Sequence, residues 1–258
     1  MNSTTQIIAH FFLLALAFGT QIFSPIVSTK LTGVGFYKLG TSIVLASLVL
    51  AFGIDLSMSP ELSLPEYVCY GVLLTSNVIT YIFHRDQKSI LMWVLYVLQV
   101  LTFSYFSFIA FNFHPIWIQL FFFSVGLLGI SNFAMILGHY YLVVPKLTEE
   151  PLIYCLFVFW TVIFLRFIFS LATIFSAGMP YLTEGSVLGD GYMYNWLFVS
   201  MRYLWGYLAP FILSLFTFRL CKLRSIQSAT GVLYIIEFFV IVGELISIYL
   251  MSRHGLAL

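Results

Sequence analysis

Apolar residues run along this chain in blocks of about twenty, broken by short clusters of Lys, Arg, Asp, Glu, Gly and Pro. A helix needs about 20 mostly apolar residues to cross a hydrocarbon core of ~30 Å. On that measure the pattern predicts eight membrane-spanning helices, near 6–27, 34–54, 66–84, 89–112, 115–143, 151–177, 194–219 and 229–251. These spans use most of the chain, so any function lies in the bundle or at its mouths. The longest linker, Gly178 to Tyr192, carries Gly and Pro and reads as an ordered loop. No Lys or Arg precedes Lys30, so the first span is read as a retained helix rather than a signal peptide.

Composition supports this reading. Of 258 residues, 61% are hydrophobic and 8% charged, and the formal net charge is +1. A soluble domain carries about 25% charged residues. The balance excludes a water-soluble enzyme, a disordered tail and a nucleic-acid binder of the basic-patch type. The expected fold class is an all-α integral membrane protein, a single polytopic domain over 1–258. Its expected partners are membrane lipids and, within the membrane, a second copy or a complex subunit, with no nucleic acid.

The cations set the orientation. Lys30, Lys38, Arg85, Lys88, Lys146, Arg219, Lys222 and Arg224 fall on the turns after spans one, three, five and seven, while Arg253 stands alone on the other side. The positive-inside rule places both termini in the periplasm and the basic turns in the cytoplasm of an inner (plasma) membrane. Asp55, Glu61, Glu66, Glu184 and Asp190 fall on the outer side. Tyr67, Trp93, Trp117, Tyr192, Tyr194 and Trp196 sit near span ends, where interfacial aromatics gather.

Ionisable residues inside the spans are costly and mark a bundle interior or a wet cavity. Arg166, Arg202, Glu237 and Glu244 are the four that stand out. Glu237 and Glu244 share a helix face at a spacing of seven, extended by Tyr234 and Ser247. At ~1.5 Å rise per residue, Arg166, Arg202 and Glu244 reach similar depths below the outer surface. The expectation is an intramembrane charge cluster, either a proton, ion or solute site or two pairs, Arg166–Glu244 and Arg202–Glu237, that hold three spans together. A candidate polar pathway follows from two stripes: Tyr70, Asn77 and Tyr81 on span three, and Tyr203, Tyr207 and Ser214 on span seven beside Pro210. Interrupted helices often line transporter sites.

Two further sets carry weaker chemistry. His84 and His139 fall at similar depth on different spans, the arrangement a b-type haem requires; a histidine bonded to a neighbouring helix is the ordinary alternative. Lys222, Arg224, Gln227 and Thr230 lead into span eight, where a cytoplasmic anion or lipid head group could be held. Thr230-Gly231-Val232 matches Thr32-Gly33-Val34 at the start of span two. His10 lies near the outer end of span one and aligns with Gln21. No catalytic residue is expected, because no nucleophile–base pair, phosphate loop or metal motif has the required spacing. Nor is a cofactor expected, haem being the alternative. The functions that fit are a small-solute or ion (proton) transporter or transporter-like subunit, a non-catalytic subunit packing against partner proteins, and a haem-binding electron-transfer anchor.

Overall fold

The computed structural model describes residues 4–27, 32–58, 62–83, 89–143, 148–183 and 191–258. Among them every long element is helical: α1 (Thr4–Ile22), α2 (Val34–Met58), α3 (Leu64–Phe83), α4 (Ile90–Ala110), α5 (Pro115–Val143), α6 (Glu150–Thr183), α7 (Tyr192–Lys222) and α8 (Ile226–His254), with a short 3₁₀ turn, Ser24–Ile26, closing α1. Seven of the eight are long and apolar enough to cross a membrane. The exception is α3, whose 20 residues include Glu66, Thr75, Ser76, Asn77 and Thr80.

The helix α5 is the axis of the bundle. In its most apolar stretch 78% of residues are buried, against 28% in α4. It packs on α1, α6 and α8; α1 also meets α2, and α8 also meets α7, while α3 joins through α2 and α4. The α1–α5 contact depends on glycine. A Cβ on Gly19 would lie 2.6 Å from the Cα of Gly129, and one on Gly129 would lie 2.4 Å from the Cα of Gly19. Small residues allow such backbone contact where hydrocarbon gives no hydrophobic drive between helices.

Two helices widen into π turns, Ile174–Gly178 in α6 and Leu204–Leu208 in α7. Each turn ends two residues before a proline, Pro180 and Pro210. Proline has no N–H, and its ring collides with the carbonyl four residues back. The helix relieves this by closing a longer ring; in α7 the Ala209 N–H donates to the Leu204 carbonyl, five residues back.

Several expectations need correction. Asp55 is not in an outer loop but buried in the last turns of α2. Trp117, at the start of α5, is half-buried: its ring stacks on Phe111 at 6.0 Å and meets Phe11 at 5.8 Å. Tyr67, Trp93, Tyr192, Tyr194 and Trp196 do stay exposed. The two Thr-Gly-Val triplets are not equivalent, because α8 begins at Ile226 and Thr230 lies inside it, buried. Cys69, Cys155 and Cys221 are free and buried.

Candidate functional site

Three of the four intramembrane charges meet in one place. Arg166 of α6 donates from Nη2 to Glu244 Oε2 at 2.8 Å, and Arg202 of α7 faces Glu244 Oε1 at 3.1 Å. The sequence left open a single cluster or two pairs, Arg166–Glu244 and Arg202–Glu237; the structure brings both guanidinium groups to Glu244. Two cations share one carboxylate side chain, and further oxygens take up some of the remaining donors, while Arg166 Nε and Arg202 Nη1 have no partner among the described residues. Arg166 reaches the Leu120 carbonyl at 3.2 Å and Ser247 Oγ at 3.1 Å. Arg202 donates to the Leu258 main-chain oxygen at 3.0 Å and to Tyr207 Oη at 2.7 Å, with its guanidinium 4.3 Å from the Tyr207 ring centre. Ser124 Oγ donates to Glu244 Oε2 at 2.5 Å. Residues 255–258 turn back at Gly255, which adopts φ +71°, and bury Leu256, Ala257 and Leu258 against this cluster. All three ionised side chains are fully enclosed. The knot ties α5, α6, α7 and α8 together.

Glu237 stands apart, two turns before Glu244 in α8. It lies buried next to Ser131 of α5, and its Oε2 has no hydrogen-bond partner among the described residues.

The six residues of the expected polar pathway do not line one path. Tyr70 joins α1 and α2, as described below. Asn77 is buried and donates to the Leu73 carbonyl at 2.9 Å, while Tyr81 is exposed under the Lys38 ammonium at 5.5 Å. On the far side of the bundle Tyr203 meets Ser170 at 3.0 Å, Tyr207 belongs to the charge knot, and Ser214 accepts from Trp160 Nε1 at 2.7 Å. His139 Nδ1 is 3.2 Å from Tyr234 Oη at the exposed end of α8, and His84 lies outside the described residues. Of the anion set, Lys222 lies over the Phe218 ring and Arg224 bonds Glu149 at 3.2 Å. Gln227 is exposed, whereas Thr230 turns inward to the Gly138 carbonyl at 2.9 Å. These four form no common site.

Two cavities at opposite ends of α1 gather polar groups that the sequence pattern did not connect. The first, about 480 Å³, opens at the N-terminal end of α1 and is lined by His10, Asp55, Glu66 and His114. His10 Nε2 lies 3.0 Å from Tyr70 Oη and 3.5 Å from Asp55 Oδ2, and Tyr70 Oη donates to the same Asp55 oxygen at 3.2 Å. Three helices thus supply one titratable chain. Glu66 caps α3 through Ser63, accepting from its N–H and its Oγ, both at 2.7 Å. The rim includes the α4–α5 turn, where Asn112 and Phe113 hold φ of 48° and 55°; for the bulky Phe113 that is backbone strain. The missed signal was positional: Asp55 and Glu66 flank one short turn, on the same side as His10.

The second cavity lies at the other end of α1. Its walls are aromatic and amide: Phe36, Trp93, Tyr96, Phe133, Gln21 and Gln99 among them. Gln21 Nε2 donates to Gln99 Oε1 at 2.5 Å, and Gln99 Nε2 donates to Thr80 Oγ1 at 3.1 Å. Next to this chain Asn132 donates to Thr20 Oγ1 at 2.8 Å. Eleven residues, about 16 Å of helix, separate Gln21 from His10. The gap is closed by Phe11, Leu14 and Phe18, all buried, with Phe18 stacked on Phe103 at 5.0 Å and 5°.

No protein-family model matches the chain, and it has no match among curated proteins or solved structures.

Proposed function

We propose that this multi-pass protein is a proton-coupled carrier of a small solute in the inner membrane, with both termini periplasmic and the path running along α1. One observation carries the reading: two polar cavities end on the same helix and are sealed from each other by an aromatic layer. A carrier needs a polar site reachable from each side and an apolar barrier between them. The His10–Tyr70–Asp55 chain supplies groups that take up and release a proton at the periplasmic mouth. The amide-lined cavity supplies the solute site on the cytoplasmic side. The orientation is supported by the clustering of Lys and Arg.

In this reading the Arg166–Glu244–Arg202 knot is the fixed frame against which α1 to α4 move. Its three charged side chains are fully enclosed and paired with one another, which suits a scaffold better than a site that exchanges a ligand. The same self-contained knot favours a second reading, a non-catalytic membrane subunit that packs against partner proteins. Proteoliposomes separate the two. Under the carrier reading, an imposed pH gradient drives solute uptake that Asp55→Asn abolishes while thermal stability holds. No gradient-driven uptake of any solute by the folded wild-type protein would leave only the subunit reading.

A further inference from the structure

We infer that the cavity at the Gln21 end of α1 binds a flat, uncharged heterocycle carrying an amide edge, of the size of a pyrimidine base. This rests on the carrier reading for its role in transport, but binding itself does not require that reading.

Among the described residues the lining contains no Asp, Glu, Lys, Arg or His. A charged ligand would therefore enter without a counter-ion, which low-dielectric surroundings penalise heavily. The ligand is neutral. The polar groups present are amides and hydroxyls. Gln21 donates one N–H to Gln99, and its amide lines the cavity. A side-chain amide with one donor and one acceptor in a plane matches a ligand edge that offers one acceptor and one donor, the geometry by which Asn and Gln read a base edge. The Gln21–Gln99–Thr80 chain fixes the plane of that amide, because each member's partner is set by the next.

The remaining walls favour a ring. Phe36, Trp93, Tyr96 and Phe133 come from three helices and present π faces and edges. Planar heterocycles stack on such side chains with little regard to substituents. Tyr96 is itself held by its hydroxyl, which donates to the Ile22 carbonyl at 2.9 Å. Space sets the size: the cavity offers about 70 Å³ to water-sized groups. That favours a single small ring over a larger ligand.

The test uses the full-length protein in lipid nanodiscs, with uracil and 5-bromouracil as probes. Equilibrium dialysis should show saturable uracil binding, weakened tenfold or more in Gln21→Leu and also in Thr41→Val, a second lining position outside the amide chain. Thermal unfolding of each variant establishes that it is folded. Bromine quenches indole emission at contact, so 5-bromouracil should quench the wild type, and Trp93→Phe should remove most of the quenching. Absence of saturable binding to the folded wild type would overturn the inference. So would equal affinity in folded Gln21→Leu, or tighter binding of toluene or tetramethylammonium than of uracil. The two proposals fail separately. Uracil binding without any coupled flux removes the carrier and keeps the site; coupled flux of another solute without uracil binding removes the site and keeps the carrier.

Discussion

Gly206 and Gly243 touch backbone to backbone: a Cβ added to Gly243 would lie 2.4 Å from the Cα of Gly206. The Arg202 guanidinium fills the space alongside, since a Cβ on Gly206 would meet its Nη1 at 2.7 Å. The π turn of α7, the α7–α8 crossing and the charge knot are therefore one packing problem. Arg202 cannot retreat, because Glu244, Tyr207 and the Leu258 oxygen hold it. Gly243→Ala should lower stability by about 1–3 kcal/mol through overpacking. Gly231→Ala, where a Cβ meets nothing within 4 Å, should cost little. Paired thermal melts in detergent check the difference, and equal melting temperatures would contradict the crossing.

Among the described residues Glu244 is the only carboxylate side chain in contact with two buried guanidinium groups. Glu244→Gln strands both, and breaking a buried pair in this way costs about 3–5 kcal/mol. Replacing Arg166, Arg202 and Glu244 together by Met or Leu should recover most of that stability, because the desolvation cost leaves with the charges. Denaturant or thermal unfolding of the single and triple variants reads this directly. Under the scaffold role the triple variant also keeps its transport; a stable triple variant without transport would make the knot part of the path.

Tyr70→Phe removes the hydroxyl between His10 and Asp55 and leaves the ring packed against Phe52 and Phe106. Two hydrogen bonds are lost, at about 1 kcal/mol each, so the protein should stay folded. The proton link is broken, and pH-driven uptake should fall at least tenfold. Uptake at the wild-type rate would take Tyr70 out of the relay. Glu66→Gln is expected to act chiefly on stability, since its oxygen serves the Ser63 cap.

Orientation has its own test. The three native cysteines are buried, so background labelling should be low. A cysteine at exposed Arg253 should react with a membrane-impermeant maleimide in intact cells, and a cysteine at exposed Lys222 should react only after lysis. The reverse pattern would invert the bundle and move the proton relay to the cytoplasmic mouth.

The sequence by itself determined the helices, because hydrocarbon thickness and internal backbone hydrogen bonding leave a hydrophobic block of this length little choice, but of the eight expected spans seven are long and apolar enough to cross and α3 is not. It also placed Arg166, Arg202 and Glu244 at one depth, since rise per residue converts position into height. Which charge met which was beyond it. Depth says nothing of rotation about the helix axis, so only the packed helices decided that Arg166 and Arg202 share Glu244 rather than forming two separate pairs. Both cavities were equally hidden. His10, Asp55 and Tyr70 are separated by up to 60 residues, and Gln21 and Gln99 by 78. Only the packing of α1 against α2 and α5, at a glycine contact too close for any side chain, brings these polar groups onto common walls.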